Sequence, residues 1–307
     1  GKTGHGRDGR KGRVRVLYVE VDEGEVEVVC ITRQGIDAGV DKYRYPRSGK
    51  PNVSAEIKIL EFTPKYTNEE PPPPAHRKLW GRYDLNVLFP WTEYIVRLGW
   101  LPSGEAIWAQ LLDRRQQHTV VIRIPVSLFM TYEEYFSSSA SEPIHPSSSS
   151  ASSSLLQIEI LWEEKSEVWI NVTDVLRFLE DDEGRGAGEK EEVNACDCKG
   201  AVRYPTTTTI RQITGGEWQV VDSEIWVDES RQLVYYMGKK DTPLESHLYV
   251  SSYSSSSTVP VSTESILKSG RRTEEDIVRE QVLEERNVKR LTTLGKSHSV
   301  WMDKGCK

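Results

Sequence analysis

Antiparallel meanders that form blades or a barrel are the expected architecture of this chain, which reads as all-β. Hydrophobic–polar alternation of period two recurs in runs of five to eight residues bounded by Gly, Pro and acidic turns. No long helical period separates those runs. Nine Trp and thirteen Tyr outnumber five Phe, a balance suited to strands, where a ring buries its body and keeps a polar tip hydrogen-bonded.

The elements follow in order. Residues 1–13 read as a flexible basic tail, because across Gly1–Arg15 the cations Lys2, Arg7, Arg10, Lys11, Arg13 and Arg15 face only Asp8 in a Gly-rich context. The chain opens on Gly, so upstream sequence is expected. From Val14 onward the spacing predicts a hairpin, Val14–Val21 and Glu25–Thr32, around the turn Asp22-Glu23-Gly24. Glu69–Pro74 is acidic and proline-rich and reads as an extended loop. A three-stranded meander follows as Glu93–Trp100, Glu105–Leu112 and His118–Pro125. Pro102 and Gly104 shape its first turn and Asp113–Gln117 its second. A third meander comprises Glu224–Asp228, Gln232–Gly238 and His247–Tyr253.

Three low-complexity inserts interrupt the region 14–307: residues 137–154, dominated by serine, 181–192, acidic with glycine, and 254–287. Such tracts bury too little apolar surface to join a core. Within the last, Thr273 and Asp276 have capping-box spacing, which predicts a short helix on a loop.

The net charge of -7 argues against nucleic acid, whose phosphates call for clustered Lys and Arg. No run of about 18 apolar residues and no leader pattern occur, so neither membrane nor secretion is expected. Cys30, Cys196, Cys198 and Cys306 are too scattered for a disulfide framework and fit a reducing, cytoplasmic compartment. Asn52-Val53-Ser54 and Asn171-Val172-Thr173 match the glycosylation pattern, which matters only in a secreted protein.

Chemical motifs are sparse. No Gly-x-Ser-x-Gly occurs, so an exposed nucleophile elbow is not expected. Ser297-His298-Ser299 sets hydroxyls beside an imidazole, yet neighbours on an extended strand point to opposite faces. Gly4-His5-Gly6-Arg7-Asp8-Gly9 has the letters of a dinucleotide fingerprint without the strand and helix that give it meaning. Cys196-Asp197-Cys198 lacks a second ligand pair, so no metal and no cofactor are expected. Glu69-Glu70, Glu133-Glu134, Glu163-Glu164 and Glu191-Glu192 read as solvated charge. Trp100, Trp108, Trp169, Trp218 and Trp226 read as core rings, with Trp218 facing between adjacent blades, whereas Trp80, beside the proline-rich loop, is expected to contribute little.

Colinear runs decide between blades and barrel. Val16-Leu17-Tyr18, Tyr43-Arg44-Tyr45-Pro46, Glu93-Tyr94-Ile95, Gly99-Trp100, Leu112-Asp113-Arg114, Trp169-Ile170-Asn171-Val172, Trp218, Val227-Asp228-Glu229, Leu233-Val234-Tyr235, Pro243-Leu244-Glu245, His247-Leu248-Tyr249-Val250 and Ser297-His298 resemble the propeller of the dipeptidyl peptidase IV family, most closely its cytosolic branch. The resemblance implies a partial β-propeller of four-stranded antiparallel blades with low-complexity loop inserts. Further implied is the non-catalytic, substrate-gating part of a serine dipeptidyl peptidase that removes Xaa-Pro or Xaa-Ala dipeptides from peptide N-termini. The hydrolase domain lies downstream in the family, and a pair of glutamates that holds the substrate amine lies upstream. No Glu-Glu pair here falls in that motif, so no catalytic, substrate-binding, cofactor or metal residue is assigned. Implied partners are the peptide substrate, through the hydrolase domain, and a second copy in the full-length enzyme. A stand-alone interaction propeller without activity is the alternative.

Overall fold

The computed structural model describes residues 6–7, 13–35, 39–64, 71–139, 157–173, 175–179, 202–203, 210–254, 259–261 and 288–302. Of the inserts, 181–192 lies outside the described residues. So do most of 137–154 and 254–287, including the Thr273 and Asp276 cap. The chain divides into two compact units, one of residues 1–163 and 189–206, the other of 164–188 and 207–307.

In the first unit the strands are β1 (Gly6–Arg7), β2 (Val14–Asp22), β3 (Val28–Thr32), β4 (Val40–Arg44), β5 (Ser54–Phe62) and β6 (Ala75–Lys78). A short helix α1 (Leu85–Leu88) leads to β7 (Thr92–Trp100), β8 (Ala106–Asp113) and β9 (His118–Pro125). Helix α2 (Tyr132–Ser139), β10 (Ile158–Lys165) and β11 (Val202–Arg203) complete it. One sheet has the order β1-β2-β5-β6, another β11-β10-β9-β8-β7, and β3-β4 stand as a pair. These all-β sheets are of the kind from which a partial propeller is built.

Sequence and structure agree closely at β7–β9. The alternation and the Pro102/Gly104 turn set the boundaries to within a residue, and Gly104 takes φ +70°, which a side chain would resist. Register explains the core. Trp100, Ile107 and Ile124 stand in one row, Leu98, Ala109 and Ile122 in the next, and Leu111 and Val120 in the third. That face meets Ile57 and Ile59 of β5 together with Phe89, Leu128, Phe129, Ile158 and Ile160. Each such side chain contributes roughly 1.5–3 kcal/mol on burial.

Four expectations are corrected. The hairpin expected between Val14–Val21 and Glu25–Thr32 does not form. Instead β2 pairs along its whole length with β5, Val14 opposite Phe62 through Asp22 opposite Ser54, and β3 pairs with β4. Strand β5 offers a partner as long as β2, with Ile57 and Ile59 opposite Val19 and Leu17 on the core face, and Arg15 directly opposite Glu61. Part of the basic tail is ordered, because Gly6–Arg7 fills the open edge of β2 against Arg15 and Val14. The β7 sheet has five strands, not four, since β11 adds to β10 in parallel, Ile158 opposite Val202. Trp169 is 70% exposed. It sits in the loop after β10, and the neighbouring Ile170 is buried there instead.

Trp80 is also packed rather than idle. Its ring stacks on Tyr135 at 5.3 Å and meets Tyr132 and Phe136 edge-on. The Lys78 ammonium lies 4.5 Å over it, and its indole N–H donates to the Met130 carbonyl. Tyr135 and Phe136 stand one turn after Tyr132 on α2, and the helix is started by a capping box: Glu134 N–H donates to Thr131 Oγ1 at 3.2 Å and Thr131 N–H to Glu134 Oε2 at 2.9 Å. Trp80→Ala is therefore expected to destabilise the first unit by about 2–3 kcal/mol, read as a lowered urea midpoint. An unchanged midpoint would return Trp80 to the surface.

In the second unit, β12 (Ile210–Gln212) pairs with β16 (Val259–Val261), and β13 (Gln219–Asp228), β14 (Leu233–Lys239), β15 (His247–Ser252) and β17 (Lys289–Arg290) form a sheet in that order. All its pairs are antiparallel, giving a four-stranded sheet as expected of a blade. Its core holds Val234, Tyr236 and Tyr249, with Trp218, Ile225 and Val227 packed against them.

Candidate functional site

The densest polar chemistry in the second unit lies at the start of β15. Glu245 and His247 are two residues apart and so share a face of extended chain. His247 is fully buried. Its Nε2 lies 2.9 Å from Glu245 Oε2 and its Nδ1 3.0 Å from Thr292 Oγ1. An ionised carboxylate only accepts, so Nε2 carries the proton, and in the neutral ring Nδ1 accepts from the Thr292 hydroxyl. Thr292 Oγ1 in turn accepts from Leu248 N–H at 3.1 Å, and Glu245 Oε2 from Gly295 N–H at 3.0 Å. The Gly295 amide, with His247, holds the Glu245 carboxyl below its ordinary range.

Acid, imidazole and hydroxyl stand here in the order that hydrolases use, yet the chain is spent on structure. His247 has no exposed surface, and the bonds to Thr292 and Gly295 tie residues 245–248 to residues 291–298. Sequence reasoning missed this clamp. The spacing of Glu245 and His247 was available as a signal, but Thr292 stands 45 residues further on.

Ser297 and His298 belong to the same strap and go to separate partners. Ser297 Oγ accepts from Ser246 N–H at 3.3 Å, while His298 N–H donates to the Ser246 carbonyl at 2.9 Å. His298 Nε2 lies 3.1 Å from the Thr293 carbonyl. Hydroxyl and imidazole do not meet.

Other sequence candidates scatter. Glu134 takes an Arg77 guanidinium at 2.6 Å and the α2 cap, so that pair is more than solvated charge. Glu163 lies 2.8 Å from His118, whose ring stacks on Trp91 at 3.8 Å. Glu69-Glu70, Glu191-Glu192 and Cys196-Asp197-Cys198 lie outside the described residues, as does most of Gly4–Gly9. Among the described residues no group of three His, Cys, Asp or Glu is placed to hold a metal, and no helix is long and apolar enough to cross a membrane.

A separate ionic knot closes one end of the first unit's core. Glu61, on the same face of β5 as Ile57 and Ile59, accepts from Arg15 Nε at 3.0 Å, Arg13 Nη1 at 3.1 Å and Arg77 Nη2 at 3.4 Å.

Comparison with known proteins places these sheets. The profile of the family described as the Dipeptidyl peptidase IV (DPP IV) N-terminal region matches residues 7–270. Dipeptidyl peptidase 8 of Mus musculus is 31% identical over 286 residues, covering 78% of this chain and 29% of the relative. Dipeptidyl peptidase 8 of Homo sapiens is 30% identical over 283 residues, with the same coverage of 78% and 29%. The chain thus spans under a third of the length of these relatives.

Proposed function

The chain belongs to the dipeptidyl peptidase IV N-terminal region family, and from that membership we propose that it is the non-catalytic, substrate-gating propeller part of a serine dipeptidyl peptidase. The observation that carries this reading is the colinear family match over residues 7–270. In this reading the whole protein removes Xaa-Pro and Xaa-Ala dipeptides from peptide N-termini, works in the cytoplasm and pairs with a second copy. Cys30, an exposed free thiol, suits a reducing compartment. The 307 residues contain no Gly-x-Ser-x-Gly, and the imidazole of the Glu245–His247–Thr292 chain has no exposed surface.

Residues 1–307, purified alone, are expected to give no turnover of glycyl-prolyl p-nitroanilide above the protein-free blank, since loss of triad members removes most of a hydrolase's rate. The full transcript is expected to encode Gly-x-Ser-x-Gly downstream. Turnover that co-purifies with the chain and disappears in His247→Gln would place catalysis within these residues. A transcript without the downstream motif would leave a stand-alone binding propeller.

A further inference from the structure

The proline-rich stretch ends in four consecutive prolines, Pro71, Pro72, Pro73 and Pro74, that run directly into β6 at Ala75. Each ring fixes its own φ near about −65° and pushes the residue before it out of the helical region. The sequence alone therefore sets a polyproline II rod, which at a rise of about 3.1 Å per residue is roughly 12 Å long. The structure agrees: residues 71–74 belong to no helix, turn or strand, and Pro72, Pro73 and Pro74 are exposed. Among the described residues nothing hydrogen-bonds to the carbonyls of Pro71, Pro72 or Pro73. One proline is enough to end a strand pairing, so four in a row exceed what the β5–β6 connection needs. Exposed proline rings and open carbonyls on a preformed rod are what aromatic-lined grooves read, the rings packing on aromatic faces and the carbonyls accepting from Trp or Tyr.

The rod is also anchored. Ala75 pairs opposite Glu61 and Lys78 opposite Lys58, and Lys78 exchanges backbone hydrogen bonds with Met130. A segment that is stiff along its length and fixed at one end has little freedom left to lose on binding. Charge then narrows the partner. The cations that follow the rod are committed within the fold: Arg77 donates to Glu134 and Glu61, and Lys78 to Glu56. His76 Nδ1 lies 2.9 Å from the Tyr18 hydroxyl, and the residues before the rod in the sequence are Glu69 and Glu70. Neither Arg77 nor Lys78 is therefore on offer to an acidic pocket of the kind that orients Pro-x-x-Pro ligands in SH3 domains. A WW groove, in which aromatic rings clasp consecutive prolines, makes no such demand.

We propose that residues 71–74 are a docking segment for a partner domain of the WW kind, one whose groove is lined by aromatic rings and carries no acidic pocket. Docking needs no hydrolase domain, so it stands or falls apart from the peptidase reading.

The test is titration of residues 1–307 into an isotope-labelled WW domain that binds proline-rich peptides, with an SH3 domain as the parallel probe, followed by amide chemical shifts. Saturating shifts at the aromatic groove of the WW domain are expected, and none that saturate over the same range in the SH3 domain. Pro72→Ala combined with Pro73→Ala is expected to weaken the WW complex about four- to thirtyfold, because both residues regain the freedom that their rings had removed. The far-UV circular dichroism of residues 1–307 should not change, since both prolines are exposed and outside every strand. Pro73→Ala alone, expected to weaken binding about two- to fivefold, keeps the test readable should the double change disturb the loop. Absence of saturating WW shifts, tighter binding to the SH3 domain, or unchanged affinity in both variants would each overturn the proposal.

Discussion

Trp218→Ala is expected to destabilise the second unit by about 3–5 kcal/mol and to leave it open to proteases at temperatures where the wild type resists. The ring stacks on Tyr236 at 6.1 Å and tilts against Tyr249 at 5.7 Å, and those two tyrosines stack on each other at 6.1 Å. All three therefore form one layer on the face of β14 and β15. Gly238 makes the layer close. A Cβ there would lie 2.8 Å from Trp218 Cζ3, so the ring rests directly on the strand. Its indole N–H donates to the Gly215 carbonyl, and Tyr236 and Tyr249 anchor their hydroxyls on Ser251 and Asp241 at 2.7 Å each. Burial pushes the Tyr236 phenol up to about 12, so it stays protonated at neutral pH. Among the described residues the buried members of this core are Val234, Tyr236 and Tyr249, and removing the largest ring leaves little to close over the space. Trp218→Phe should recover most of the loss. Limited proteolysis and urea midpoints for both variants check this; an Ala variant as resistant as the wild type would detach Trp218 from the core.

Local pattern and non-local partnership separate what was legible from what was not. Strands β7 to β9 could be placed because period-two alternation and the Pro102/Gly104 turn are written in consecutive residues. The partner of β2 could not, since its nearest strand-like run, β3, pairs elsewhere and the true partner lies beyond an intervening hairpin. Strand β5 carried the signal unread: Ile57, Ile59 and Glu61 alternate with Glu56, Lys58 and Leu60, but three charges among six residues mask the apolar period. Thr273 and Asp276 have capping-box spacing in the sequence, and Thr131 and Glu134, at the same spacing, form the reciprocal pair. At the clamp, Glu245 and His247 were visible as neighbours on one face. Their role depends on Thr292 and Gly295, which only the fold brings back to β15.

Glu61→Gln is expected to cost the first unit about 2–4 kcal/mol at neutral pH, somewhat under the 3–5 kcal/mol for breaking a fully buried ion pair. Arg15 and Arg77 keep 16% and 19% side-chain exposure, and Arg77 keeps Glu134, which tempers the loss. Arg13, at 49% exposure, contributes least. With the carboxylate replaced by an amide, three guanidiniums converge on one neutral acceptor oxygen beside an NH2 donor, and Arg77 Nε, already buried without a partner, has less to offset it. Desolvation raises the Glu61 carboxyl, but the Arg15 hydrogen bond and the charges of Arg77, Arg15 and Arg13 outweigh it and leave the group below its ordinary value of 4.5. The sign follows: a carboxyl depressed in the folded state binds its proton more readily when unfolded. Its stabilisation is complete above the unfolded value and fades as pH falls from about 4.5 through the folded one. Urea midpoints of wild type and Glu61→Gln should therefore differ most at pH 7 and converge toward pH 3. Parallel curves across that range would mean that solvent, and not Glu61, carries the charge of the three arginines.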